Sequence, residues 1–365
     1  MATELGKKTM LSAFKQKKTP TMFLSGFFKT PEKNITRSNK VVIDIKRNQE
    51  AIAVDVIRGT QGRFNKNKRF TTKEYTPPVY DEYSSTFEEE GNDRLPGNTE
   101  YDDEEYLANF IARVTDDQVE HQEKILRSIE KQASDVLFTG TVQLINNDTI
   151  DYNMKTEHQI TVTTSWSDVD NADPLGDLQE AVDLNRKDGK ITSDIVVMGQ
   201  DAFTNFINTK QIKELGDLRR IDIMTITRPV ANTEGASFHG MVSVGAYELQ
   251  VWTYPQYYQV PTDFGLPNEG ELVPYVPANY CCVLGSAIRM DLVYAGIPDI
   301  IRRVDPRLQA FGINAMPVRV ASDFHPYLYL DERMVNIEAG VRSAPLCIPT
   351  QIDGFSTIDT VAPAP

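Results

Sequence analysis

At 365 residues, with 40% apolar and 9% aromatic composition, the chain holds material for about two ordinary domains or one elaborated one, which argues against wholesale disorder. A net charge of −14 argues against a body that grips nucleic-acid phosphates, since that grip comes from Lys and Arg that release counterions. The total hides a split: residues 1–73 hold 17 Lys+Arg against 5 Asp+Glu, a balance of +12, while the remainder carries 21 against 47, a balance of −26.

Residues 1–19 lack the apolar stretch and cleavage site of a secretory signal, so synthesis in a reducing cytosol is expected. Residues 1–40 mix basic side chains with the cluster Met22-Phe23-Leu24 and Phe27-Phe28. The segment is too short and polar to bury that cluster alone, so it must dock on this chain's body or on a neighbour's. Val41, Ile43 and Ile45, then Ile52, Val54 and Val56, alternate with polar residues, the period of a strand with one buried face. A basic stretch follows with Arg58, Gly59, Gly62, Arg63, Lys66, Lys68 and Arg69, and Lys73 to Tyr80 then runs extended around Pro77 and Pro78. Strand, basic tip and returning strand make a long hairpin with too few apolar residues for a core. Such a hairpin is marginal in water, so it needs a partner surface. Its basic tip reads either as a solvated tail or as an interaction arm for the acidic body of another copy.

Residues 81–105 are acidic, including Glu88, Glu89, Glu90, Asp102, Asp103, Glu104 and Glu105. They lead into the clearest helix, Tyr101 to Phe138, which has no glycine or proline and repeats Leu107, Phe110, Ile111, Val114, Ile125, Ile129 and Val136 at helical spacing. Acids suit its first turn and Gly140 its C-terminus. About 35 residues at 1.5 Å each make a spine roughly 50 Å long, with Thr115-Asp116-Asp117 a candidate kink. Strands are expected at Thr141–Ile145 and Gln159–Thr163, and a helix from Asp173-Pro174 to Gly189. A buried strand Ile195–Met198 precedes a helix capped by Asp201, and another helix spans Gln211–Leu218. Further strands fall at Ile221–Thr227, Met241–Val244, Tyr247–Tyr254, Tyr280–Leu284, Pro317–Ala321, Leu328–Leu330 and Val335–Val341. The class is α+β or α/β.

The signs of catalysis are absent from the sequence. His121, His158, His239 and His325 do not occur at metal-ligand spacing with one another or with cysteine. His121 sits on the polar side of the spine helix and reads as solvated. Cys281, Cys282 and Cys347 form no disulfide framework, and the adjacent pair reads as buried thiols in a strand. No phosphate-cradling loop, nucleophile elbow or dinucleotide fingerprint occurs, so no enzyme activity, cofactor or metal is expected. No run reaches the roughly 18 apolar residues of a membrane span.

Several stretches resemble the major capsid proteins of tailed phages of the lambda type, which share the Hong Kong phage coat fold. They are Met22–Phe28, Arg94-Leu95-Pro96, Thr139-Gly140, Asp194–Arg220, Pro274–Leu284 with Gly285, and Ser343-Ala344-Pro345-Leu346. The resemblance implies an α+β fold with an N-terminal arm (1–45), an extended hairpin or E-loop (46–95), and a peripheral domain with the spine helix (96–165). An axial domain (166–300) and a return to the peripheral domain (301–365) would complete it. It further implies a homo-oligomer: capsomers, both hexamers and pentamers, of an icosahedral shell. That shell would enclose double-stranded DNA without sequence-specific contacts, with scaffold, portal and decoration proteins as partners, no membrane, and a place in the virion after assembly in host cytoplasm. Lambda-type relatives do not rely on the covalent Lys–Asn cross-link some members make, so none is expected here. The inter-subunit candidates are Arg58, Arg63, Lys66, Lys68 and Arg69 of the hairpin tip, meeting acids such as Glu88, Glu89, Glu90, Asp102, Asp103, Glu104 and Glu105 of an adjacent copy. Two other readings stand beside this one. They are an encapsulin-like nanocompartment shell and, from another class, a soluble α/β enzyme with a basic regulatory tail.

Overall fold

A computed structural model describes residues 20–45, 71–87, 106–144, 148–217, 224–231, 234–262, 268–301, 316–331 and 336–363. The spine is one helix, α1, Tyr106–Thr139, unbroken through Thr115-Asp116-Asp117. It stops where Gly140 turns to φ +69°, a left-handed conformation that L side chains rarely adopt. The second half of α1 is buried on almost every side: Ile125, Ile129, Ala133, Val136 and Leu137, but also Glu130, Gln132 and Ser134. A helix buried all round belongs to the middle of a core.

Beside α1 lies a seven-stranded sheet, in the order Gln159–Thr161, Ser356–Asp359, Tyr280–Leu284, Ile195–Met198, Tyr247–Thr253, Ser237–Val244, Met224–Ala231. Two of its pairings are parallel, Tyr247–Thr253 with Ile195–Met198 and Ser356–Asp359 with Gln159–Thr161. The period of two sorts its side chains between two cores. Val196, Met198, Cys281 and Val283 point into a core shared with helices α2 (Pro174–Asp188) and α3 (Gln200–Asn208). Val197, Cys282 and Leu284 point into the other core, which holds α1 and the arm residues Phe23, Leu24 and Phe28. Cys281 and Cys282 therefore face opposite ways, each fully buried, as the strand pattern required.

At the two ends of the stretch expected as a long hairpin, Val41–Ile45 pairs antiparallel with Thr71–Tyr75; residues 46–70, with the alternating Ile52, Val54 and Val56, lie outside the described residues. Ahead of Val41 the arm runs along the body. The Lys29 amide donates to Met290 O and Thr36 to Tyr294 O, beside the paired strands Asp291–Tyr294 and Pro345–Ile348. A three-stranded sheet, His325–Asp331, Asn336–Ser343 and Tyr80–Phe87, covers another part of α1.

Four expectations change. Tyr80–Phe87, hidden in the acidic lead-in, is a strand because Asn336–Ser343 supplies a complete ladder for it. Asp201 does not cap α3; Gly199 does, and a side chain there would run into the carbonyls of Pro277 and Ala278. The strand expected over Ile221–Thr227 continues to Ala231, its described part being Met224–Ala231, while residues 221–223 lie outside the described residues. His121 is buried rather than solvated, because the strand Tyr80–Phe87 packs over that side of α1, where Ser84 Oγ donates to Asp117 Oδ2. The last helix, α4, is Lys210–Asp217.

Candidate assembly surface

The arm is fastened to the spine by a carboxylate. Glu130 is fully buried on α1 and accepts from the amides of Leu24 (2.7 Å) and Ser25 (2.9 Å) and from Ser25 Oγ (2.5 Å). The chain makes this possible by turning into a 3₁₀ helix at Ser25–Phe27, which leaves those amides without helical partners. Burial raises the Glu130 carboxyl above its ordinary 4.5, while the Ser25 and Leu24 bonds pull it back. Beside it, Tyr254 Oη donates to Thr21 O (3.1 Å), and the Phe23 ring lies 5.5 Å from that of Tyr254.

The outward face of the three-stranded sheet carries a connected polar ladder. Arg342 donates from Nε to Asp81 Oδ2 (2.7 Å) and lies 4.1 Å over the Tyr327 ring, whose hydroxyl donates to Asp81 Oδ1 (2.6 Å). Tyr329 Oη donates to Asp299 Oδ1 (3.0 Å), and His325 Nε2 meets Asp299 Oδ2 at 3.0 Å. Gly340 makes room for this stack, since a Cβ there would stand 2.5 Å from Tyr327 Cζ. Tyr83, next in register to Gly340, remains 58% exposed.

A third cluster has the residue types of a nucleophilic triad. His158 Nδ1 lies 2.9 Å from Ser356 Oγ and Nε2 lies 3.3 Å from Asp188, which Lys155 also binds. Lys155, through its hydrogen bond, holds the Asp188 carboxyl below its ordinary value. Ser356 is fully buried and donates to Asn185 Oδ1 (2.6 Å), and His158 Nδ1 also meets Phe355 O at 3.0 Å. A hydroxyl enclosed in that way cannot meet a substrate, so the cluster works as a staple between α2, the turn at His158 and the strand Ser356–Asp359. Sequence reading missed it because its members are nearly two hundred positions apart. A glutamate inside the helix's apolar stripe was the available signal for Glu130.

The twelve charged residues expected at the contact between copies, Arg58, Arg63, Lys66, Lys68, Arg69, Glu88, Glu89, Glu90, Asp102, Asp103, Glu104 and Glu105, lie outside the described residues. Among the described residues no group of three His, Cys, Asp or Glu side chains could hold a metal, and no helix is long and apolar enough to cross a membrane.

A family model for phage major capsid protein E matches residues 8–359. The chain belongs to that family. It is the major capsid protein of a tailed phage, a structural component of the virion built to assemble into shells. Among solved structures, the chain is similar to the capsid protein assigned to a prophage of E. coli CFT073, with 14% identity and a TM-score of 0.55 over 80% of this chain and 79% of that one. It is also similar to a phage-related protein from Bordetella bronchiseptica RB50 (8% identity, TM-score 0.47, 96% and 95% covered). The capsid of Myoviridae phage XM1 is a further match (10% identity, TM-score 0.45, 96% of each chain). Comparison with curated protein sequences returned no significant match. The E. coli likeness carries the α+β Hong Kong phage coat fold that the arm, hairpin and spine order had suggested. In such a capsid protein, Glu130 and the His158 staple act within one subunit, joining arm to spine and α2 to the strand Ser356–Asp359.

Proposed function

We propose that this capsid protein forms hexameric and pentameric capsomers of an icosahedral shell around double-stranded DNA, assembled in host cytoplasm with scaffold, portal and decoration proteins. The single observation that supports this most is the hairpin base. Val41–Ile45 and Thr71–Tyr75 pair with each other and bracket a stretch rich in Lys and Arg. Two paired strands are marginal alone, which favours a role completed by another copy.

In this reading residues 1–45 are the arm, 46–95 the E-loop, 96–165 and 301–365 the peripheral domain and 166–300 the axial domain. Arg58, Arg63, Lys66, Lys68 and Arg69 meet acids of an adjacent subunit, Glu88 to Glu90 and Asp102 to Glu105 among them. Each such surface pair is worth only about 0–1 kcal/mol, so cohesion comes from repetition and from buried apolar area. The net negative charge beyond residue 73 suits a container, because an acidic surface does not adhere to packed phosphate. Electron microscopy of the purified protein should find closed shells. Reversing all five basic residues should abolish them while leaving the thermal unfolding of the subunit unchanged, and normal shells from that variant would refute the pairing.

A further inference from the structure

We propose that a second copy of this chain docks on the outer face of the ribbon Tyr257–Gln259/Leu272–Pro274, using its arm between Phe27 and Arg37. This rests on the shell-forming reading above and names one of its contacts. The ribbon pairs Tyr257 with Pro274, Tyr258 with Val273 and Gln259 with Leu272. Alternation then gives it two faces. Tyr258 and Val273 turn inward, where with Phe138, Tyr275 and Pro277 they line a cavity of about 170 Å³ against α1. Tyr257 and Leu272 turn outward and are 47% and 69% exposed, Leu272 being the most exposed large apolar side chain among the described residues.

An exposed leucine on a loose loop would mean little, since single exposed apolar residues are ordinary. This one is held in place. The Val260 amide donates to Glu271 O (3.0 Å), Tyr275 to Gln256 O (3.0 Å), and Gly270, at φ +75°, to Val260 O (3.0 Å). The ribbon is therefore a fixed shelf whose ordering cost is already met before a partner arrives. Glu269 and Glu271, both exposed, flank Leu272 with negative charge.

The complementary surface is the arm. Exposed Lys29, Lys33 and Arg37 stand on its outer flank around half-buried Pro31, net basic despite Glu32, while Phe27 and Ile35 pack on the chain's own core. The arm backbone is bound to its own body at Met290 and Tyr294, so its basic flank is offered outward. Leu272 flanked by acid on one copy meets Pro31 flanked by base on the next. Opposed charge fixes register and the apolar centre supplies affinity. A head-to-tail contact of this kind gives a ring when its rotation closes, which is the geometry a capsomer requires.

The test uses the full chain. Tyr257→Ser with Leu272→Asp should leave thermal unfolding unchanged, because both side chains face solvent in one copy. It should cut the yield of sedimenting particles and capsomers at least tenfold. Glu269→Lys with Glu271→Lys should impair assembly as well, and adding Lys33→Glu and Arg37→Glu to that chain should restore it. Wild-type yield from the first variant, or failure of the charge swap to rescue the second, overturns this contact. A wild-type chain that stays monomeric at all concentrations overturns the shell reading and this contact with it.

Discussion

Replacing Glu130 with alanine should undock the arm from the spine. Glu130 accepts three bonds, from Leu24 N, Ser25 N and Ser25 Oγ, in a fully buried setting. Alanine leaves two buried amides without acceptors at about 1–3 kcal/mol each. Part of that loss is offset because the carboxylate no longer has to be desolvated, a cost of several kcal/mol per buried ion. The net expectation is about 2–4 kcal/mol of weaker docking, read at the arm because Leu24 and Ser25 supply the three bonds Glu130 accepts. Local opening is read by amide hydrogen exchange over the peptide containing Leu24 to Phe28. At a factor of ten per ~1.4 kcal/mol, exchange there should accelerate roughly 30- to 1,000-fold. Ser25→Ala, which removes one donor and orphans no amide, should accelerate it about tenfold. Protection of that peptide within threefold of wild type in the alanine variant would refute the clamp. The pH dependence has a definite sign. Because burial raises the Glu130 carboxyl, the folded chain keeps a proton that the unfolded chain has released between 4.5 and the raised value. Docking should weaken as pH rises through that window, and Glu130→Gln should flatten the slope.

His121 is buried with neither ring nitrogen hydrogen-bonded among the described residues, so His121→Leu should stabilise the subunit by about 1–3 kcal/mol, seen as a higher unfolding temperature. Burial, with Lys124 adding to it, holds the imidazole below 6.5 against the opposing pull of Glu82, Asp117 and Glu120. The unfolded chain therefore binds a proton first, stability should fall as pH drops below 6.5, and the leucine variant should lose that dependence. Gly340→Ala should cost about 1–3 kcal/mol and release the Arg342–Tyr327 stack, because its Cβ would overlap Tyr327 and stand 2.8 Å from Tyr83 Cβ; near-ultraviolet dichroism of the tyrosines reports it. Cys281, Cys282 and Cys347 should resist thiol reagents until the chain unfolds, since burial raises all three thiols; rapid labelling of the native protein would contradict this.

The spine was legible because about nine turns of helical spacing without glycine or proline admit no other reading, and Gly140 marks its end in the chain itself. The buried strands Ile195–Met198 and Tyr280–Leu284 were legible for a similar reason: short apolar runs between turn residues. Their neighbours were not. Nothing local to Ser356–Asp359 says that it lies between Gln159–Thr161 and Tyr280–Leu284. Tyr80–Phe87 carries acids and serines that read as a lead-in until Asn336–Ser343, some 250 residues later, supplies its partner. The same distance hid the polar contacts. Arg342 and Asp81 are separated by 261 positions, and Glu130 meets backbone amides, which have no sequence signature at all. The charge split was legible at once, but charge balance bears on solubility and association rather than on fold, so it carries little information about how one subunit folds.

That separation has a physical basis in the two cores. Their members are almost wholly apolar and come from every part of the chain, the arm at Phe23 and Leu24, the spine at Ile129, and the return strands at Leu346 and Phe355. Burial of this kind is insensitive to ionic strength, whereas interactions between exposed charges more than about 8–10 Å apart are screened at physiological salt. A subunit held by apolar area and fastened by a desolvated carboxylate can therefore carry a strongly polarised exterior without endangering its fold. Contacts between copies that depend on opposed charge remain individually weak and reversible. Weak reversible contacts let misplaced subunits leave before a shell closes, and the fixed apolar shelf at Leu272 supplies a direction to those that stay.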